Sequence, residues 1–125
     1  MARKPVKKSS SKIIRKDTNA RMSQVVVHGD TVYLAGVVAD KTVPSVLKQT
    51  EQVLRKIDQL LKKAGTSKKR ILKANIWLSD IATFAEMNQA WEAWAPKGET
   101  PARATVESKL VTPDYLVEIM VEAAL

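Results

Sequence analysis

Apolar and polar positions alternate with two different periods along this chain, and the changes of period mark its elements. Gln24-Val25-Val26-Val27-His28 and Thr31-Val32-Tyr33-Leu34-Ala35 are β-rich runs separated by Gly29-Asp30, the spacing and chemistry of a two-residue hairpin turn. From Pro44 to Ala64 the period becomes helical. Val46, Leu47, Val53, Leu54, Ile57, Leu60, Leu61 and Ala64 share one face, with Pro44 near the start and Gly65 just past the end. The opposite face carries Lys48, Gln52, Arg55, Lys56, Gln59, Lys62 and Lys63, which reads as a solvated surface. Ile71 to Leu78 predicts a strand with both faces partly apolar. Ser79-Asp80 offers an N-cap to a second helix running to about Ala95, with an expected buried stripe of Phe84, Met87, Trp91 and Trp94 and a stop at Pro96 and Gly98.

The last quarter of the chain predicts two more strands. Pro101 fixes its own φ and biases Thr100 toward an extended backbone, so Ala102 to Lys109 opens as a strand. Side chains alternate along it, with Arg103, Thr105 and Glu107 on one face and Ala104, Val106 and Ser108 on the other. Tyr115 to Leu125 follows, with Val117, Ile119, Val121 and Ala123 on one face and Leu116, Glu118, Met120, Glu122 and Ala124 on the other. At the other end, Ile13-Ile14 marks the start of the folded part, followed by a polar link from Lys16 to Ala20. The predicted order is β-β-α-β-α-β-β, an α+β fold with two helices on one face of a mixed sheet. Two helices bury only one face of strands that are apolar on both, so the second face predicts a homo-oligomer.

Composition narrows the chemistry. A chain of 125 residues with 45% hydrophobic and 27% charged residues is expected to be one soluble domain, and no stretch approaches the roughly eighteen apolar residues of a membrane span. With no cysteine and a single histidine, His28, the chain offers no thiolate nucleophile, zinc–cysteine site or multi-histidine metal site of its own. No Asp-rich loop of calcium-binding spacing appears either, so neither metal nor cofactor is expected. The net charge of +8 is concentrated at the start. Residues 1–16 hold seven basic residues and no acid, leaving 14 basic against 13 acidic residues in the remainder. Residues 1–12 therefore read as a basic N-terminal extension and 13–125 as the domain. The extension lacks the apolar core of a secretory signal, and a cytoplasmic location is expected.

Several residues stand out as candidate chemistry. Arg103, at the mouth of a strand, presents a fork of donors that can hold a carboxylate by two parallel charge-assisted hydrogen bonds. Glu118 is an acid in an apolar strand, where burial raises a carboxyl pKa toward the range of a general base. Gly36, following the second strand, permits close approach of a neighbour or ligand. Asn88 lies beside the apolar stripe of the second helix, and Arg21 adds a positive charge ahead of the first hairpin.

This order of elements, with Arg103 and Glu118 on the last two strands, resembles the RidA (YjgF) family of reactive-intermediate deaminases, and most closely its YoaB-like bacterial branch. The resemblance runs from about Ile13 to the C-terminus. It is carried by Arg21-Met22-Ser23-Gln24-Val25-Val26, Tyr33-Leu34-Ala35-Gly36, Ala64-Gly65-Thr66-Ser67, the run from Phe84 through Asn88 to Trp91, Pro101-Ala102-Arg103-Ala104-Thr105-Val106, and Pro113-Asp114-Tyr115-Leu116-Val117-Glu118-Ile119. It implies a chorismate-mutase-like homotrimer with three clefts between subunits. The implied chemistry is hydrolysis of enamines and imines such as 2-aminoacrylate and 2-iminopropanoate to 2-oxo acids and ammonia. Matched residue by residue, Arg103 is the carboxylate-binding arginine, Glu118 the glutamate associated with the hydrolytic water, and Asn88 the helix asparagine near the cleft. Gly36 and Thr105 fall where backbone N–H groups help hold the ligand, while Arg21 adds positive charge to the cleft. Two hydroxyl residues of the best-studied branch are replaced, by Met22 and Ala35. That loss frames the alternative, a non-catalytic binder of small carboxylates or 2-oxo acids on the same trimer. RNA binding or ribonuclease action, motivated by the basic extension, ranks last because no basic patch with interleaved aromatics accompanies it.

Overall fold

A computed structural model describes residues 12–125, so the basic extension read at residues 1–12 falls, but for Lys12, outside the described residues. The observed order is β1 (Ile13–Thr18), β2 (Ser23–His28), β3 (Thr31–Leu34), β4 (Val37–Val38), α1 (Val46–Ala64), β5 (Ile71–Leu78), α2 (Phe84–Trp94), β6 (Ala102–Glu107) and β7 (Val117–Ala124). The α+β class and the two helices on one sheet face agree with the sequence pattern. The count of strands does not. Residues 16–18, expected as a polar link, continue β1, which pairs with β2 from Ile13↔His28 to Thr18↔Ser23. Hydrogen bonding to β2 overrides a sequence with no alternating apolar signal, and Asp17 takes a positive φ of 54° within it. The two-residue β4 is the second addition, and it pairs with β7 rather than with β3.

The sheet order is β1-β2-β3-β7-β5-β6. The Gly29-Asp30 turn closes the β2–β3 hairpin with Gly29 at φ 60°, and His28 pairs with Thr31 across it. β7 runs antiparallel to β3, β4 and β5, whereas β5 and β6 are parallel and joined by the α2 crossover that parallel strands require.

Helix α1 begins at Ser45, whose hydroxyl accepts from the Lys48 N–H at 3.2 Å, and ends where the Gly65 N–H closes onto Leu61 and Lys62 carbonyls. Its core face holds Val46, Val53, Leu54, Ile57 and Leu61 as expected, but also buries Gln49 and Thr50. Each has a local reason. Thr50 Oγ1 donates back to the Val46 carbonyl at 2.7 Å. Gln49 satisfies its whole amide on backbone, donating to the Val43 and Asp114 carbonyls at 2.8 and 3.0 Å and accepting from the Leu116 N–H at 3.0 Å. It thereby ties the start of α1 to the approach of β7.

The second helix is shorter than predicted. Asp80 caps a single 3₁₀ turn, Ile81–Thr83, by accepting from the Ala82 N–H at 2.9 Å, and α2 proper starts at Phe84. Met87, Ala90 and Trp91 are its buried residues, so the expected stripe shifts: Phe84 is exposed and Trp94 only half-buried. Trp94 stays at the rim because its indole N–H donates to Asp58 Oδ2 on α1 at 2.9 Å.

The core lies between the helices and one face of the sheet. Val25, Val32, Leu34, Ala74, Ile76, Leu78, Val117, Ile119, Val121 and Ala123 project into it, nearly or fully water-free. Trp77, Val106, Tyr33, Met120, Val38 and Ala104 lie on the opposite face by register, interleaved with Glu118, Glu122, Lys73 and Asn75. No helix among the described residues covers that face, and Tyr33, Val106 and Met120 are 40%, 50% and 41% exposed on it.

Candidate functional site

The strand register decides which candidate residues can meet. On β6, Arg103 pairs with Ala74 and Thr105 with Ile76, both core residues, so Arg103 and Thr105 project to the helix-covered side of the sheet. Here Arg103 meets α2. Its Nη1 donates to Asn88 Oδ1 at 2.8 Å, and its guanidinium lies 5.2 Å from the Trp91 ring centroid and 5.8 Å from that of Phe84. One amide acceptor and two aromatic rings orient the fork while leaving most of its donors unused. Among the described residues no carboxylate forms a salt bridge with it; the two ion pairs present are Lys56–Asp40 and Lys63–Asp17. Loss of water at this half-buried position pulls the guanidinium pKa down, and the Glu92 carboxylate opposes that pull. Asn88, Trp91, Glu92, Thr100, Pro101 and Arg103 line an open recess of about 360 Å³.

β6 is the outer strand of the sheet. The Ser108 N–H donates to the Leu78 carbonyl at 2.9 Å, so by alternation the N–H groups of Arg103, Thr105 and Glu107 point away from β5, toward the free edge. Among the described residues the Thr105 N–H is thus unclaimed by the sheet. Its hydroxyl, by contrast, is enclosed and has no hydrogen-bond partner among the described residues.

Glu118 sits on the other face. It pairs with Trp77 on β5 and Val38 on β4, and the residues flanking it, Val117 and Ile119, are the ones that enter the core. Burial pushes its carboxyl above the usual carboxylate range. Gly36 lies directly against it: a Cβ at that position would overlap Glu118 Oε2, so the carboxylate occupies space that only a glycine leaves open. The Ala35 N–H donates to the Gln24 carbonyl at 3.0 Å, which brings the β1–β2 turn to this same end of the sheet. Met22, 48% exposed, and Arg21 belong to that turn, whose backbone N–H groups are held by Asn19 Oδ1 at 3.0 and 2.8 Å.

The candidates thus form two groups. Arg103, Asn88 and Thr105 gather at the β6 edge beneath α2, while Glu118 lies on the open face with Gly36 against it, and the Arg21 turn lies at the same β3–β4 end of the sheet. Within one chain the groups are separated by the thickness of the sheet and by β5. Phe84, Trp91 and Glu92 were not singled out as site residues by the sequence reading. Their spacing carries the signal: Phe84, Asn88 and Trp91 stand at i, i+4 and i+7, one helical stripe, with Glu92 a turn beyond Asn88.

The chain belongs to the RidA/YjgF/L-PSP (RutC) family, whose model, described as endoribonuclease L-PSP, matches residues 13–125. It is 44% identical over 112 residues to the RutC family protein YoaB of Escherichia coli strain K12, covering 90% of this chain and 97% of that protein. A RutC family protein of Haemophilus ducreyi is 39% identical over 113 residues, with 90% and 97% covered. The crystal structure of a YjgF-family protein from Neisseria meningitidis superposes with a TM-score of 0.90 at 37% identity, covering 92% of this chain and 96% of that one.

Proposed function

We propose that this protein hydrolyses reactive enamines and imines of small carboxylic acids, of the 2-aminoacrylate and 2-iminopropanoate type, to 2-oxo acids and ammonia in the cytoplasm. The observation that carries the reading is the Arg103 guanidinium, oriented by Asn88 and two aromatic rings yet without a carboxylate partner among the described residues. A fixed, unspent fork of donors at the mouth of a recess is a receptor for a carboxylate. An iminium carbon is already electrophilic, so the protein has to fix the carboxylate, orient a water and take its proton. Glu118, with a carboxyl raised by burial, suits that last task.

The reading requires more than one copy of the chain. Arg103 and Glu118 lie on opposite sheet faces, and the open face bearing Glu118 is partly apolar and, among the described residues, covered by no helix. Seating the β6 edge of one subunit against the open face of the next buries that surface and brings one subunit's Arg103 toward its neighbour's Glu118. We therefore place the reaction in the clefts of a homotrimer. Pyruvate release from 2-aminoacrylate, supplied by a serine dehydratase, tests it. Acceleration over buffer that disappears in Arg103→Ala is expected; no acceleration, or full activity in Arg103→Ala, would falsify the proposal.

A second reading is favoured by Met22 and Ala35. They leave the Gly36–Glu118 end of the cleft with a thioether and a methyl, so the water has fewer hydroxyl groups to order it. A carboxylate binder without turnover would show a 2-oxo-acid-dependent rise in melting temperature through Arg103, with no pyruvate release above background.

A further inference from the structure

The recess that holds Arg103 contains one more charge. Glu92 is one helical turn beyond Asn88 on α2 and lines the same space as Arg103, Trp91, Thr100 and Pro101. The recess is about 360 Å³, larger than the carboxylate that Arg103 would hold, so the remainder of a bound ligand lies along the wall that Glu92 shares. Its carboxylate is exposed and free of any salt bridge among the described residues, so its charge is spent neither on Lys nor on Arg. It does not close onto Arg103 in an ion pair either. The field at the guanidinium nonetheless registers it, as the charge that opposes desolvation there.

We propose that Glu92 is a specificity-determining residue, which rejects ligands carrying a second carboxylate and favours carboxylates that carry a positive charge on their side chain. The inference rests on the reading of Arg103 as the carboxylate receptor. A monocarboxylate with no further charge, such as pyruvate, satisfies Arg103 and leaves Glu92 little to act on. A dicarboxylate places its second charge in the field of the Glu92 carboxylate, whereas a guanidinium or ammonium on the ligand side chain is attracted by it. Asn88 and the aromatic rings do not distinguish these cases, because none of them is charged.

The test is a set of dissociation constants for pyruvate, 2-oxoglutarate and 5-guanidino-2-oxopentanoate, measured by calorimetry on wild-type protein, Glu92→Gln and Arg103→Ala. Wild type is expected to bind the guanidino acid most tightly and the dicarboxylate most weakly. In Glu92→Gln, the dicarboxylate should gain about threefold to tenfold and the cationic ligand lose a similar factor, with pyruvate nearly unchanged. Raising the salt concentration should shrink the wild-type differences, a response that a purely structural role of Glu92 would not produce. Unchanged affinity ratios between the three ligands in Glu92→Gln, or an equal loss for all three, overturn the proposal while leaving Arg103 in place. Ligand binding that survives Arg103→Ala, or is absent from wild type, overturns the carboxylate-receptor reading itself and this inference with it.

Discussion

Arg103 and Glu118 stand on opposite faces of one sheet, Arg103 paired with core residue Ala74 on β5 and Glu118 with Trp77 on the same strand. Ala74 and Trp77 are three residues apart, an odd number, so their side chains leave β5 in opposite directions. No rotamer change brings the guanidinium and the carboxylate of one chain together through that strand. If both act on one ligand, they come from two chains. Mixed assemblies test this directly. Arg103→Ala and Glu118→Gln should each retain at most a small residual rate alone, and co-refolding them in equal amounts should restore activity in about one quarter of the clefts, those drawing the intact arginine and intact glutamate from different subunits. Mixtures no better than their components would show that the two residues do not share a cleft across an interface.

The open sheet face is the surface such an assembly must cover. Val106, Met120 and Tyr33 are 50%, 41% and 40% exposed there, and half-buried Trp77 lies among them. Light scattering at micromolar concentration is expected to give the mass of a trimer. Met120→Asp should shift it toward monomer and abolish deamination while leaving the helical circular-dichroism signal, since Met120 contributes nothing to the helix-side core. A wild-type monomer, or an active monomeric Met120→Asp, would remove the basis for an inter-subunit cleft.

Much of this was legible in the residues. The alternation from Ala102 to Lys109 put Arg103 and Thr105 on one strand face, and the 3.6-residue period set out α1 almost whole. What could not be read was where one element's register meets another's. β1 has no alternating apolar signal, because neither of its faces enters the core, and it exists by pairing with β2. Gln49 sits in α1's core stripe as a polar residue whose partners, Val43, Asp114 and Leu116, are fixed only by tertiary packing. The same applies to the site. Sequence offered Arg103 and Glu118 as one constellation, while the face each occupies depends on the β5 register.

Gly36→Ala isolates the glycine's part in the site. A Cβ at residue 36 would overlap the Glu118 carboxylate, so the carboxylate must swing away or the β3–β4 connection must shift. Deamination should fall by at least about tenfold with a melting temperature changed by only a few degrees, because Gly36 lies outside the core. Recovery of activity in Gly36→Ala combined with Glu118→Asp, whose carboxylate is one methylene shorter, is the accompanying expectation. Full activity in the single variant would show that the position of Glu118 does not matter to the reaction.

Gln49→Leu separates stability from chemistry. The substitution keeps the volume and removes three hydrogen bonds, leaving the Val43 and Asp114 carbonyls and the Leu116 N–H without the Gln49 amide. The Val43 carbonyl keeps the Ser45 N–H at 2.8 Å, so the Asp114 carbonyl and the Leu116 N–H are the two part-buried groups left unpaired; at about 1–3 kcal/mol each, a loss of roughly 2 kcal/mol or more is expected in urea titrations. A change below about 1 kcal/mol would mean that water replaces the amide at the Asp114 carbonyl and the Leu116 N–H.

With Glu118 as the proposed base, the pH dependence should follow this carboxyl, and its sign follows from its surroundings. Burial raises the folded carboxyl above the usual range, while the unfolded chain titrates at the ordinary value. Below about pH 4 both states are protonated and the residue is neutral toward folding. As pH rises from there, ionisation favours the unfolded state, and the penalty is complete once the folded carboxyl has ionised. Glu118→Gln should therefore melt higher than wild type at neutral pH, with the difference vanishing in acid. Activity runs the other way. A general base works only when ionised, so the acid limb of the deamination rate should fall above the usual carboxylate range and be absent from the residual rate of Glu118→Gln. In a shared cleft the neighbouring subunit's Arg103 opposes the effect of burial, and carboxyl-carbon NMR should show Glu118 titrating at still higher pH in Arg103→Ala. A lower melting temperature for Glu118→Gln at neutral pH would instead identify the carboxylate as a structural hydrogen-bond acceptor, and an unchanged midpoint in Arg103→Ala would place the two residues too far apart to act on one ligand.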